Sequence, residues 1–288
     1  GHSLTGNYSI IGGGAQNLGT GKFTFIGSGI YNTGQSDYSM ILNGAKNFSI
    51  QRFSTIINGY SSTTNGSYTT IVNGLKNYLN GDYSTILNGL NHRISGTLIY
   101  SSRNSILGGS QHQIENSHIS TIVNGVNNKI YNYVYNSAII GGGNNTIRLS
   151  SYSFIGQGNY NLIDSVNPYN SILNGISNVI RNGSYNIISN GLRNQISGGS
   201  FYNFIESGHD NLIHENSFNS GILAGINNVI GDGVTNSIIV GGHNLRAISS
   251  NTSYHDHIVA RSLTSNTLMI VLAEPDGHLI LTSSTGVF

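Results

Sequence analysis

Apolar residues recur at a nearly constant interval along most of this chain. An isoleucine is followed three residues later by a glycine in fifteen successive units, from Ile11 and Gly14 to Ile238 and Gly241. The first six glycines are spaced by 15 residues, later ones by 16 or 17, and a single interval of 20 follows the sixth. An internal repeat of this kind decides the architecture before any local motif is considered.

The length and composition of the unit predict one coil of a parallel β-solenoid. A helical hairpin repeat needs roughly 30 residues or more, whereas this unit has room for two short strands and two tight turns. Ile, Val, Tyr, Phe and Thr favour strands, and Gly, Asn and Ser favour turns. We therefore expect an all-β fold of about 15 coils in which the repeated isoleucines stack into a buried ladder.

Two further columns support this interpretation. From the sixth unit onward a second isoleucine lies five residues after the glycine: Ile94, Ile114, Ile130, Ile147, Ile163, Ile180, Ile196, Ile213 and Ile230. Three residues after the glycine lies a polar column: Asn17, Asn32, Asn47, Ser62, Asn77, His92, His112, Asn128, Asn145, Asn161, Asn178, Asn194, Asn211, Asn228 and Asn244. Stacked amides can satisfy turn backbone groups. The glycine itself indicates a turn with positive φ or a close backbone approach.

A second apolar stripe is predicted on the outside of the coils. The residue after the repeated isoleucine should point outward, and it is often Leu, Ile or Val, as at Leu42, Leu87, Leu173 and Ile239. The residue after the glycine is also often apolar. A long exposed apolar stripe usually indicates an interface. We expect a parallel homotrimer, with a dimer, a capped monomer or a wider coil that encloses both stripes as alternatives.

The motif Ser-x-Ile-Ile-x-Gly at residues 137–142, and its variant at residues 9–14 with Gly12 in place of the second Ile, carry a family resemblance. It resembles the head repeats of trimeric autotransporter adhesins, the YadA-like β-roll, and the related repeats of phage and giant-virus tail fibres. The resemblance covers about residues 8–250, and the longer units here favour the viral relatives. It implies a homotrimeric shaft or adhesive head, on a virion or a cell surface, that attaches to a host glycan or surface protein. A bacterial adhesin head is the alternative.

Composition excludes several other functions. Charged residues make up 8% of the chain, the net charge is +1, and the twelve Lys and Arg are scattered, so we predict no nucleic-acid binding. The sequence contains no apolar run of about 18 residues, so we predict no membrane insertion. We expect residues 1–7 to be a leader or tag remnant, 8–252 the shaft and 253–288 a cap, within a fragment of a longer protein.

The predicted cap differs in kind from the repeats. Two apolar runs flank Pro275, Asp276 and Gly277, which is a hairpin signal. We expect this β-hairpin to end the solenoid and to hold three chains in register, because terminal coils need a cap.

His255 and His257 form the sharpest local motif. Residues two apart on a strand share a face, so three chains could bring six imidazoles together on the trimer axis. Such a set suits Fe or another transition metal. The simpler alternative is a hydrogen-bonded histidine pair.

The one long insertion, at about residues 96–102, is predicted to contact a receptor or glycan through Thr97, Leu98, Ile99 and Tyr100. An irregular bulge is the alternative.

A cluster of acidic residues raises the question of enzymatic activity. Glu206, Asp210 and Glu215 lie close together in sequence beside His209 and His214. Paired carboxylates can hydrolyse glycosides, so a glycan-degrading tailspike is the alternative in class. Because no groove-forming loops accompany the cluster, we predict that the protein is not an enzyme.

Two outward columns have lesser interpretations. One is aromatic: Tyr8, Phe23, Tyr38, Phe53, Tyr68, Tyr83, Tyr152, Tyr169, Tyr185 and Tyr202. We expect it to pack against neighbouring chains, with a platform for sugar rings as the alternative. The other contains Thr55, Thr70, Thr85 and Thr121, but bulky apolar residues interrupt it, so an ice-binding array is not predicted.

Overall fold

A computed structural model describes residues 1–96, 103–255, 268–273 and 279–284, the last two ranges by their backbone alone. These residues form strands and turns and contain no helix. The predicted all-β parallel solenoid of about 15 coils is confirmed. The chain divides into unit 1, Gly1–Tyr160, and unit 2, Asn161–Phe288, which are described separately.

Unit 1 consists of two ladders of parallel strands, in which each coil contributes one strand to each ladder. Ladder A contains β1 Ser3–Leu4, β3 Leu18–Gly19, β5 Thr33–Gly34, β7 Phe48–Ser49, β9 Thr63–Thr64, β11 Tyr78–Leu79, β13 Arg93–Ser95, β15 Gln113–Glu115, β17 Lys129–Tyr131 and β19 Thr146–Arg148. Ladder B contains β2 Ile10–Ile11, β4 Phe25–Ile26, β6 Met40–Ala45, β8 Thr55–Tyr60, β10 Thr70–Leu75, β12 Thr85–Ile86, β14 Ser105–Ile106, β16 Thr121–Ile122, β18 Ala138–Ile139 and β20 Phe154–Ile155.

Unit 2 continues the same alternation. Its ladder A contains β21 Leu162–Asp164, β23 Val179–Arg181, β25 Gln195–Ile196, β27 Leu212–Ile213, β29 Val229–Ile230 and β31 Arg246–Ala247. Its ladder B contains β22 Ser171–Ile172, β24 Ile187–Ile188, β26 Phe204–Ile205, β28 Gly221–Ile222, β30 Ile238–Ile239 and β32 Ser253–Tyr254. β33 Leu268–Ala273 and β34 Leu279–Ser284 pair antiparallel, in agreement with the predicted hairpin.

The core lies between the two ladders and consists of the two predicted isoleucine columns. From Ile26 to Ile222 the repeated isoleucines of ladder B are fully buried, and so are the second isoleucines of ladder A from Ile94 to Ile230. Burial of one such side chain contributes about 1.5–3 kcal/mol, so the two columns are the main source of stability. In the first coils the ladder A position holds smaller buried residues, among them Gly34 and Thr64.

The predicted asparagine column is a hydrogen-bonded ladder. The Asn17 Oδ1 accepts the backbone N–H of Asn32 at 3.0 Å, and the Asn17 Nδ2 donates to the Gly29 carbonyl at 2.8 Å. The same two bonds recur coil after coil, for example from Asn194 to Asn211 and Gly208. The Asn17 Nδ2 also donates to the Gly13 carbonyl of its own coil at 3.0 Å, so the buried amide satisfies backbone groups of two coils.

The repeated glycine has the predicted positive φ in nearly every coil. At Gly44 φ is +112°, and a Cβ there would overlap the carbonyl oxygen of Gly59 in the next coil. Glycine is needed here for conformation and for close approach at once. Gly59 and Gly241 are the exceptions, because their φ angles are outside this region.

A second polar ladder was not predicted. It lies two residues before the repeated isoleucine and consists of buried Ser, Thr and Asn side chains. The Asn104 Oδ1 accepts the N–H of Ser120 at 2.9 Å, and the Asn186 Oδ1 accepts the N–H of Asn203 at 3.0 Å. The sequence signal for this ladder was the recurrent Ser or Asn two residues before the repeated isoleucine.

The last coil corrects the predicted register by one residue. Ile239 pairs with Ile222 and is fully buried, whereas Ile238 pairs with Gly221. Ile239 is therefore a core residue and not part of the outer stripe. The turn glycine with positive φ is Gly242 rather than Gly241. The polar column ends at Asn228, because its Oδ1 accepts the N–H of Leu245 and not that of Asn244.

The two ends of the solenoid differ from the predicted boundaries. β1 pairs with β3, so the ladder begins at Ser3 rather than at residue 8. At the other end Tyr254 continues the isoleucine column and is fully buried opposite Ala247. Its hydroxyl accepts the backbone N–H groups of Ile248 and Ser249 at 3.1 and 3.0 Å.

Candidate functional site

Two of the predicted sites lie wholly or partly outside the described residues. Thr97, Leu98, Ile99 and Tyr100 are outside them, and so is His257. His255 is described, and its Nε2 is 2.7 Å from the Ser253 hydroxyl. Across the part of the chain that the structure describes, no group of three or more His, Asp or Glu is arranged to hold a metal. The receptor loop and the metal site stay predictions.

Asp210 of the acidic cluster is bound to an arginine of the preceding coil. The Arg193 guanidinium donates two hydrogen bonds of 2.6 Å to the Asp210 carboxylate, and the His209 Nδ1 is 3.0 Å from the same group. The hydrogen bonds from Arg193, and to a lesser extent the one from His209, hold the pKa of Asp210 well below its usual range. An ionised carboxylate cannot act as a general acid. Glu206 and Glu215 are exposed.

The aromatic column packs within the chain rather than offering free ring faces. From Tyr8 to Tyr83 each ring stacks on the next, with centroids 4.7–5.2 Å apart. Tyr169, Tyr185 and Tyr202 stack in the same way. Neighbouring rings cover each other's faces, so only edges face solvent along each stack. A continuous platform for stacking sugar rings is not available there.

The outer apolar stripe is uncovered in the single chain. In unit 1 Leu42, Leu87 and Val126 are exposed by 43, 39 and 51%, and in unit 2 Leu173 is exposed by 45%. Their neighbours Ile57 and Val72 are half-buried. The alternative of a wider coil that encloses both stripes is therefore wrong. The stripe follows the turn that joins ladder B to ladder A in each coil.

The outer face of ladder A in unit 1 carries cations that the sequence analysis treated as scattered. Lys46 and Lys76 each lie two residues after the repeated glycine, and Arg93 and Lys129 each lie four residues after it. Shared offsets from the glycine were the missed signal, because the coil converts them into columns. β13 pairs with β15 and β15 with β17, so Arg93 and Lys129 are two coils apart.

Two shallow grooves lie on this face. One, of about 330 Å³, is lined by Asn91, Arg93, Gln111, His112, Gln113, Asn127 and Lys129. The other, of about 500 Å³, is lined by Tyr31, Lys46, Phe48, Ser61 and Thr63. Both combine cations with neutral hydrogen-bonding groups.

Comparison with known proteins does not assign the chain to a family. The sequence matches no protein-family model, and no curated protein sequence is significantly similar to it. Within the described ranges, no helix is long and apolar enough to cross a bilayer.

Proposed function

We propose that the protein is the shaft of a homotrimeric attachment fibre, of the kind that phage and viral tail fibres use to reach a host cell surface. The observation that carries the proposal is the uncovered apolar stripe, which recurs in both units and is interrupted in unit 2 at Ser189 and Glu206. A stripe of this kind in a single chain is a liability unless another surface covers it.

Three parallel copies would cover this stripe because its members repeat with the coil. Side chains in one column of a parallel ladder follow each other at about 4.8 Å. Identical stripes on identical chains therefore stay in register along their length, and a closed arrangement leaves none exposed. The family resemblance of the repeats supports three copies rather than two.

The mechanism of such a fibre is mechanical and multivalent. A stack of hydrogen-bonded coils holds its surface groups at fixed spacing, and three copies present each weak site three times. Simultaneous engagement converts later binding events into intramolecular ones, which raises the overall strength of attachment. The ion pair at Asp210 makes this residue unsuitable as the general acid that glycan hydrolysis needs.

The proposal is tested by the native mass in solution, measured by light scattering. We expect three times the 30.7 kDa chain mass. The variant Leu87→Ser/Leu173→Ser should dissociate the particle, since buried apolar area at the interface is lost in each chain. Serine already occupies this column at Ser189, so the coil should still fold.

The matched control is Leu162→Gln, which changes an outward leucine of ladder A to the residue that Gln195 places in the same column. It should leave the trimer intact. A monomeric wild-type particle would contradict the proposal, as would equal effects of the stripe variant and the control. Attachment is tested by incubating host cells with labelled protein. We expect the trimer to be retained on the cells and the dissociated variant to be washed off.

A further inference from the structure

The two units carry opposite charge although the whole chain is nearly neutral. Unit 1 has eight Lys and Arg against three Asp and Glu, a formal net charge of +5. Unit 2 has four against eight, a formal net charge of −4. An asymmetry of this size indicates that unit 1 meets a partner of negative charge.

Four of the eight cations of unit 1 lie on the outer face of ladder A or on the turn that leads into it. Lys46, Lys76 and Arg93 are exposed there and Lys129 is half-buried. None of these four forms an ion pair among the residues that the structure describes. On the opposite turn, by contrast, Arg52 lies 3.7 Å from Asp37.

The cations on this face are held in place by neutral groups. The Arg93 guanidinium lies 5.2 Å from the centre of the Tyr78 ring, and its Nε donates to the Ser95 hydroxyl at 2.9 Å. Lys46 lies over the Tyr60 ring at 5.8 Å. Glu115 is the acidic residue among these strands of unit 1, and the Gln113 amide donates to it at 2.6 Å. The positive charges therefore remain available to a ligand.

Amide side chains surround the cations in the smaller groove. Asn91 and Gln111 are exposed beside Arg93, and Gln113 and Asn127 lie next to Lys129. An amide both donates and accepts, which suits the hydroxyl groups of a sugar. Arginine binds a carboxylate through two parallel hydrogen bonds, which suits an acidic one.

We propose that this face of unit 1 binds an acidic polysaccharide along the direction in which the coils stack. Lys46 and Lys76 are two coils apart, as are Arg93 and Lys129, so each pair spans roughly 10 Å. That spacing fits a chain with a carboxylate on every second sugar better than duplex DNA, which carries a charge about every 1.7 Å of its axis. This proposal adds a ligand class to the proposed attachment function. It rests on that function, because a host surface is the expected source of the polysaccharide.

The test measures binding of hyaluronan, which carries a carboxylate on every second sugar, to the full chain by isothermal titration calorimetry. The methyl ester of hyaluronan and single-stranded poly(dT) are the comparison ligands. We expect hyaluronan to bind, its affinity to fall as salt is added, and the ester to bind at least about tenfold more weakly, because it lacks charge-assisted hydrogen bonds.

The variant Arg93→Gln/Lys129→Gln should lose about tenfold or more in hyaluronan affinity. Glutamine already occupies this column at Gln113, between the two substituted positions, so folding should be preserved. The control Arg181→Gln/Arg246→Gln removes the same charge from ladder A of unit 2 and should leave the affinity unchanged.

Equal losses in both variants, no loss in either, or tighter binding of poly(dT) than of hyaluronan would overturn the inference. Native mass measured on the same samples separates it from the proposed function. A trimer that does not bind hyaluronan would contradict the proposed binding face but not the proposed fibre. A monomer that binds hyaluronan through Arg93 and Lys129 contradicts the fibre alone.

Discussion

The first coils of unit 1 and its later coils have similar outer patterns but different interiors. Early coils place Gly19, Gly34, Ser49 and Thr64 at the inward position of ladder A, where later coils place isoleucine. Early coils are 15 residues long, whereas most later ones have 16 or 17. The longer coils contain a third corner, as at Asn116, and beyond it a further buried residue such as Ser117.

In most coils the inward residue of ladder A and the coil length differ together, but Leu79 is fully buried at this position in a 15-residue coil. At Gly34 a larger side chain has little room, because a Cβ there would lie 2.5 Å from the Thr24 Cγ2. Leu79 has Thr69 at the position equivalent to Thr24, so coil length alone does not decide the size of the inward residue. In a close-packed core the neighbouring side chains must adjust to each such residue.

The largest expected effect is the loss of a large side chain from a long coil. Ile130→Ala should lower the free energy of unfolding by about 2–5 kcal/mol, because it leaves a cavity between two buried isoleucines. Thr64→Ala, at the same column in a short coil, should cost much less because fewer buried carbons are removed. Urea denaturation of both variants measures the difference, and equal losses would show that the two interiors are packed alike.

A smaller loss is expected when a large side chain is placed in a short coil. A Cβ at Gly34 would lie 2.5 Å from the Thr24 Cγ2 and 2.9 Å from the Ser39 Oγ. Gly34→Ile should therefore destabilise by about 1–3 kcal/mol through overpacking. Hydrogen exchange at the neighbouring strands β3 and β7 should show local loosening. Unchanged exchange there would mean that coil length and core size are independent.

The last expected effect is confined to acid pH and lies at the boundary between the two kinds of coil. His92 and His112 replace asparagine there, their rings stack at 5.0 Å, and each Nδ1 accepts the backbone N–H of the following coil. Burial lowers the pKa of both to about 4, which the nearby carbonyls offset only in part. The unfolded chain therefore binds more protons below about pH 6.5.

Their contribution to stability should be complete above about pH 6.5 and should be lost as the pH falls toward 4. His92→Asn/His112→Asn restores the amide ladder and should flatten this part of the dependence of the melting temperature on pH. His118→Asn, which changes a half-buried histidine of the same unit outside the polar column, is the control. A variant that melts with the same pH dependence as the wild type would contradict the assignment.

Much of this fold could be predicted because each coil repeats the same physical requirements. The isoleucine columns and the amide ladder were predicted by spacing alone. The last coil was misread because Ile238 and Ile239 are adjacent, as are Gly241 and Gly242. Only pairing with Ile222 decides between them.

Other features had no clear sequence signal. Tyrosine and phenylalanine at positive φ are uncommon, so Tyr38 at +60° could not be placed in a left-handed corner from its identity. The face that we propose to bind polysaccharide was missed for a different reason. Lys46, Lys76, Arg93 and Lys129 are far apart in sequence, and only the stacking of coils brings them onto one surface.

The amide ladder has a direction, and this affects how the protein is made. Each amide oxygen accepts a hydrogen bond from an N–H group that comes later in the chain, as Asn17 does from Asn32. A coil that has left the ribosome is therefore a template for the next one, with its acceptors already in position. We expect the solenoid to fold from its N-terminus during translation, at the pace of synthesis, with contacts that join each coil only to its neighbours.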